Sequence, residues 1–183
     1  QSVRKDFTPF VPTDGRVELS ENDRFAVIKA GNIAYTFDKP YGRISSITCG
    51  GKELLSAPVE PQIWRAPCYN RGSSEMWRLK NFRYAAQKTY YCLVCATDSG
   101  VCIKTKIALG GPSCPPVIHA DVDYKFTPDG CVTLCFDGDV IEKCPILPKV
   151  GYRLFMPSEN ESVSYFGLGP REAYVDRYKY QRL

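Results

Sequence analysis

Histidine is almost absent from this chain: His119 is the only one in 183 residues. One imidazole serves neither a histidine-rich metal site nor a serine triad, and no Gly-x-Ser-x-Gly elbow is present to carry the latter. Long apolar runs are missing as well. None approaches the roughly 18–20 residues that a membrane-spanning helix needs. Neither sign of charge dominates: 24 basic and 20 acidic residues, spread along the chain, leave a net charge of +4. That pattern is a solvated surface and excludes the clustered basic footprint of a nucleic-acid binder. Repeats and low-complexity segments are also lacking. The chain opens on Gln1, not Met, without a charged-then-apolar leader, which reads as a processed product.

Cysteine, by contrast, is plentiful, and nine of them cannot all pair. Cys92 and Cys95 have the spacing of half a zinc ribbon, but they sit in an extended stretch. Residues three apart on a regular strand point to opposite faces, so these thiols cannot share a metal. Cys131 and Cys135 share a face yet lie about 13 Å apart along a strand, well beyond the roughly 7 Å that a disulfide tolerates between Cα atoms. The expectation is small, reduced, apolar cysteines in a cytoplasmic setting.

Strand signals recur with turn residues between them: 25–29, 33–37, 44–49, 89–96, 101–109, 118–127 and 131–137. This spacing predicts an all-β, antiparallel β-sandwich over 25–183, with 1–24 as a linker or leading segment. Two adjacent stretches fix a register. Val101, Ile103, Thr105, Ile107 and Leu109 alternate with Cys102, Lys104, Lys106 and Ala108; Ile118, Ala120, Val122, Tyr124 and Phe126 alternate with His119, Asp121, Asp123 and Lys125. Pairing Lys106 with Asp121 and Lys104 with Asp123 puts both apolar rows on one side and opposite charges across from each other. The next hairpin closes best with a three-residue loop, Pro128-Asp129-Gly130. That loop sets Phe126 opposite Val132 and Tyr124 opposite Leu134, and it asks Gly130 for a left-handed backbone.

One segment resists a strand reading. Gly72 to Asn81 predicts a short helix capped by Ser73 or Ser74, with Glu75 in its first turn. The irregular stretch before it is rich in aromatic and polar residues. Long ordered connections of this kind are often functional. Trp64, Tyr69 and Trp77 could stack on sugar rings while Arg65, Asn70, Arg71 and Glu75 reach hydroxyls; the simpler role for the tryptophans is anchoring the loop. His119-x-Asp121-x-Asp123 invites a metal reading, but the facing lysines supply partners and repel a cation. Near the end, Tyr165 to Arg177 packs turn, charge and aromatic residues together and stops six residues before Leu183. A segment so built seldom closes a domain, so the chain reads as a piece of something longer. Glu172 and Asp176 suggest a glycosidase pair, yet Arg171 and Arg177 favour ionised carboxylates over a raised-pKa acid. No catalytic residue is assigned.

Four stretches, taken together, resemble the C-terminal β-domain (the small-chain region, domain 5) of the large β-galactosidases of glycoside hydrolase family 2. They are Tyr35-Thr36-Phe37-Asp38 with Gly42 following, Gly51-Lys52-Glu53-Leu54-Leu55, Ile63-Trp64-Arg65-Ala66-Pro67, and the run carrying Gly167, Gly169, Pro170, Glu172, Asp176 and Arg177. Pro148 to Phe155 also resembles the strand before that last motif. The resemblance implies a supersandwich like galactose mutarotase in fold, truncated on its C-terminal side, beside a catalytic barrel. It further implies that the parent is a retaining glycosidase of terminal β-D-galactosides, which leaves room for a homo-oligomer. The catalytic glutamates and the Mg and Na ions would lie in the barrel, leaving this chain without a cofactor or metal. Its partners would be the rest of the parent chain and, indirectly, the galactoside. After Arg-Ala-Pro the family usually carries Thr-Asp-Asn-Asp, where this chain has Cys68, Tyr69, Asn70 and Arg71; only Asn70 keeps the pattern. The alternatives are a stand-alone carbohydrate-binding module and, more distantly, a mutarotase-like epimerase, against which the lone His119 counts.

Overall fold

The computed structural model describes residues 15–67, 71–141, 146–160 and 162, with the backbone alone for 71–74. The chain divides into two compact units, Pro12–Pro157 and a second of Gln1–Val11 with Ser158–Leu183. Every element below belongs to the first.

The fold is all-β and antiparallel, in a sandwich-like arrangement. A five-stranded meander runs β1 (Val17–Glu21), β2 (Phe25–Ala30), β3 (Ile33–Asp38), β4 (Arg43–Cys49) and β5 (Lys52–Glu53). A four-stranded sheet follows in the order β10-β9-β8-β7, from β7 (Ala86–Thr97), β8 (Gly100–Gly110), β9 (Ile118–Phe126) and β10 (Val132–Val140). A third, two-stranded sheet pairs β6 (Ala57–Gln62) with β11 (Gly151–Phe155). Seven of these strands follow the alternation read in the sequence. Val17–Glu21, inside the stretch expected to be a linker or leading segment, is an edge strand pairing with β2. Its Val17 and Leu19 pack against the core, but two apolar residues in five give too faint a signal to find it. Pro58 and Pro61 hid β6; both are tolerated because, among the described residues, β6 has a hydrogen-bonded neighbour on one side only.

The charge-paired register holds. Lys106 lies opposite Asp121 and Lys104 opposite Asp123, so the inner face keeps Val101, Ile103, Ile107 and Leu109 buried. Thr105, the polar member of that row, donates its hydroxyl to the Val122 carbonyl at 3.2 Å. The hairpin also closes as the alternation required: Val132 pairs with Phe126 and Leu134 with Tyr124. Gly130 has φ of +78°, a left-handed backbone that favours glycine.

The core lies between the two larger sheets. Tyr35 meets Phe126 with ring centroids 5.0 Å apart, and Phe37 meets Tyr124 edge-on at 4.9 Å. Two buried hydroxyls bind the sheets crosswise. Tyr35 of the first sheet donates to the Gly130 carbonyl in the β9–β10 turn at 2.6 Å; Tyr124 of the second donates to the Gly42 carbonyl in the β3–β4 turn at 3.3 Å. Burial, and secondarily the neighbouring Tyr152, raise the Tyr124 pKa above the ordinary phenol value, so this donor stays protonated. An ion pair holds the third sheet to β4: Glu60 of β6 accepts from Arg43 Nη1 at 2.9 Å, and within its own sheet from Arg153 Nη2 of β11 at 3.4 Å.

Strand β7 contains one irregularity. Its pairing with β8 shifts between Thr89 and Tyr91, leaving Tyr90 as an extra residue. Beyond that bulge Cys92 pairs with Thr105 of the core-facing row, while Cys95 pairs with Cys102 on the outer face. The two thiols of the Cys-x-x-Cys spacing therefore point to opposite faces, as strand geometry demands.

Candidate functional site

The site is built where β6 leaves the sandwich. Ile63 is buried to 1% and roots the irregular stretch in the core; Trp64 follows, partly buried and packed on the same cluster. After residues outside the description, helix α1 runs Arg71–Leu79 and a 3-10 turn runs Phe82–Tyr84. Asn81 joins them in a left-handed conformation, φ 53°, and its Nδ2 donates to the Pro112 carbonyl at 3.3 Å. The helix begins earlier than the serine caps predict, so Ser73 and Ser74 lie inside it and no acidic residue occupies the first turn. Glu75, expected in that turn, is the helix's fifth residue and is exposed. Short polar residues compete for capping only where the backbone leaves the helix, and Ser73 and Ser74 are the helix's third and fourth residues.

Trp77 is the hinge pin of the site. It is only 4% exposed, and its indole Nε1 donates to the Ile146 carbonyl at 2.7 Å. A buried indole N–H needs such a partner, and this bond ties α1 to the segment before β11. Phe82 beneath is fully buried. Together they hold open a cavity of about 340 Å³ lined by Trp64, Pro67, Trp77, Arg78, Asn81, Arg83 and Tyr84. That volume is within the range of small-ligand sites. Arg83 stands 5.8 Å from the Tyr84 ring centroid. Aromatic faces beside guanidinium and amide donors can stack on, and hydrogen-bond to, a hydroxyl-rich ring. The described lining residues include no carboxylate, thiol or imidazole.

Of the sequence-predicted site residues, Trp64 and Trp77 meet at this cavity. Arg65 is partly buried next to it in the chain, Glu75 lies on the exposed side of α1, and Arg71 opens the helix. Tyr69 and Asn70 lie outside the described residues, as do Gly167, Gly169, Pro170, Glu172, Asp176 and Arg177. Sequence reasoning missed Arg78, Asn81, Arg83 and Tyr84. Arg78 follows Trp77 on α1, whereas the 3-10 turn brings Arg83 and Tyr84 round to the cavity, and nothing in residue spacing announces that turn.

Another motif residue has a clear structural role. Glu53 accepts hydrogen bonds from the Ser46 hydroxyl and from the backbone N–H groups of Ile47, Leu54 and Leu55, the last three at 3.0, 3.1 and 2.9 Å. Desolvation works against ionisation, but these four donors outweigh it and lower its pKa from the ordinary carboxylate value.

Comparison with known proteins now decides the family. A family model described as "Beta galactosidase small chain" matches residues 29–183. The chain belongs to that family. Among curated relatives named "Beta-galactosidase", it is 32% identical to that of Klebsiella pneumoniae (strain 342) over 183 residues, covering 92% of this chain and 17% of the relative. The Lactobacillus delbrueckii subsp. bulgaricus protein is 31% identical over 186 residues, covering 97% and 18%. The Actinobacillus pleuropneumoniae protein is 28% identical over 160 residues, covering 86% and 16%. The chain thus spans about a sixth of the length of these relatives, and the motif residues Glu53, Trp64 and Arg65 all fall inside the family match.

Proposed function

We propose that this chain serves as a non-catalytic β-domain of a β-galactosidase, supporting the catalytic barrel and lending the Trp64–Tyr84 corner to the sugar site. The parent hydrolyses terminal β-D-galactosides with retention, using glutamates and metal ions carried by the barrel, and works in the cytoplasm. The observation that carries this reading is the aromatic cavity between Trp64, Trp77 and Tyr84, on a chain that covers about a sixth of its relatives. Exposed Leu79 and Tyr84 beside the cavity, 65% and 64% exposed, give the barrel an apolar surface to cover. A second reading, a sugar-binding module complete in itself, rests on the same cavity.

Complementation tests the first reading. The parent polypeptide lacking this segment should be inactive on an aryl galactoside and regain turnover when the chain is supplied. Turnover by the chain alone that survives Glu172→Ala would reveal catalysis within it and overturn the proposal. Titrating galactose into the isolated chain while watching the Trp64 and Trp77 indole resonances addresses the second reading. Shifts at millimolar sugar support a self-standing module; silent indoles leave sugar contact to the assembled enzyme.

A further inference from the structure

The outer face of the four-stranded sheet carries a pair of thiols that the proposed function does not use. Cys95 of β7 and Cys102 of β8 are direct cross-strand partners, each partly buried and free. The two-residue Asp98-Ser99 loop closes this hairpin on the Thr97–Gly100 pair. Two residues on, Cys95 and Cys102 therefore fall again at a hydrogen-bonded position, where Cα atoms stand about 5.5 Å apart. That separation is within the window of disulfides, whose Cα distances cluster near 5.5–6 Å. Side chains at such positions diverge more than an unstrained S–S bond likes, so some backbone movement is needed. Strand β7 can supply it: among the described residues it is the last strand of its sheet, hydrogen-bonded on one side only.

Two other thiols of this sheet, Cys92 and Cys135, are excluded by the same geometry. Cys92 faces the core opposite Thr105. Cys135 shares the outer face, but it pairs with Asp123 of β9, which puts it two strands, about 9.5 Å, from β8.

We propose that Cys95 and Cys102 are a redox-reactive dithiol that exchanges with a low-molecular-weight disulfide, such as oxidised glutathione, to form a cross-strand Cys95–Cys102 bond. The Cys95 thiolate attacks one glutathione sulfur and expels the first glutathione thiolate, leaving a mixed disulfide. Cys102 then gives its proton to solvent and attacks the Cys95 sulfur, expelling the second. Two protein thiols are oxidised and one glutathione disulfide is reduced to two thiols. Burial, with Asp123 next in weight, raises the Cys102 pKa above the ordinary thiol value while Lys104 and Lys125 oppose it; this suits the resolving role. A bond that needs native distortion is readily reduced again, so the site is reversible.

The test uses the folded 183-residue chain, equilibrated with glutathione buffers of rising disulfide content, quenched, alkylated and digested with trypsin. One peptide, Thr89–Lys104, contains Cys92, Cys95 and Cys102. The expected result is loss of two alkyl groups from that peptide, with the surviving label on Cys92, and full recovery of all three labels after return to reduced glutathione. Cys102→Ser should instead trap a glutathione adduct on Cys95. Three labelled or glutathionylated cysteines in the wild-type peptide, or a bond involving Cys92 or another peptide, would overturn the proposal; the wild-type result decides it whether or not the variant folds.

Discussion

Replacing Tyr35 by Phe removes one hydroxyl and leaves the ring against Phe126. The lost bond is short, 2.6 Å, and runs to the buried Gly130 carbonyl, for which Tyr35 is the one donor seen among the described residues. Losing a partner so that a buried acceptor goes unmet costs about 1–3 kcal/mol. Tyr124→Phe is the internal control. Its bond is longer, 3.3 Å, and the Gly42 carbonyl also receives Gln87 Nε2 at 3.1 Å, so the acceptor keeps a partner. The cost then falls to the net worth of an ordinary hydrogen bond, about 0.5–1.5 kcal/mol. Urea unfolding of the 183-residue chain measures both, with slopes held equal to show that neither end state has changed in compactness. Tyr35→Phe should lower stability about twice as much as Tyr124→Phe. Equal losses, or a larger loss for Tyr124→Phe, would refute the argument that acceptor orphaning sets the cost.

Other consequences are separately measurable. The Glu53 pKa is lowered in the folded chain, so its contribution is present above the unfolded value of about 4.5 and is lost as pH falls through the folded value; Glu53→Gln should flatten the acid limb of a stability-versus-pH curve. The raised Tyr124 pKa acts at the other limb: stability holds below pH 10.0, the ordinary phenol value, and falls above it, less steeply in Tyr124→Phe. Asp137 lies opposite Asp121, a like-charge pair, so Asp137→Asn should stabilise the chain by a few tenths of a kcal/mol, about 0.2–1 at most, in thermal unfolding at low salt. Trp77→Phe keeps the packing but frees the Ile146 carbonyl; hydrogen exchange should quicken at residues 146–147 while β8 and β9 stay protected.

Where side-chain alternation met a buried face on one side only, the fold was legible in the sequence. The β8–β9 register needed nothing beyond the apolar rows and the Lys104, Lys106, Asp121 and Asp123 charges, because a slip of one residue would have turned every one of them over. The Gly130 loop was legible because only one loop length kept Tyr124 and Phe126 inward. β1 and β6 were not, since a five-residue edge strand and a strand broken by two prolines carry little periodic signal. The site was half legible. Trp64 and Trp77 announced themselves by residue type, whereas Arg83 and Tyr84 join them only through the turn at Asn81. The crossed tyrosine bonds were invisible, because Tyr35 and Gly130 are 95 residues apart.

The extra residue at Tyr90 is a spare. Thr89 lies opposite Ile107 and Tyr91 opposite Lys106, which are neighbours on β8, so deleting Tyr90 would straighten the strand and leave every flanking residue on its present face. Gln87 would go on holding the Tyr41 and Gly42 carbonyls, now reached at 2.8 and 3.1 Å. The Thr97–Gly100 pair fixes the phase at the turn end, so a second deletion, with the spare already gone, would turn one part of β7 over. The strand can therefore lose this one residue cleanly, and no further one.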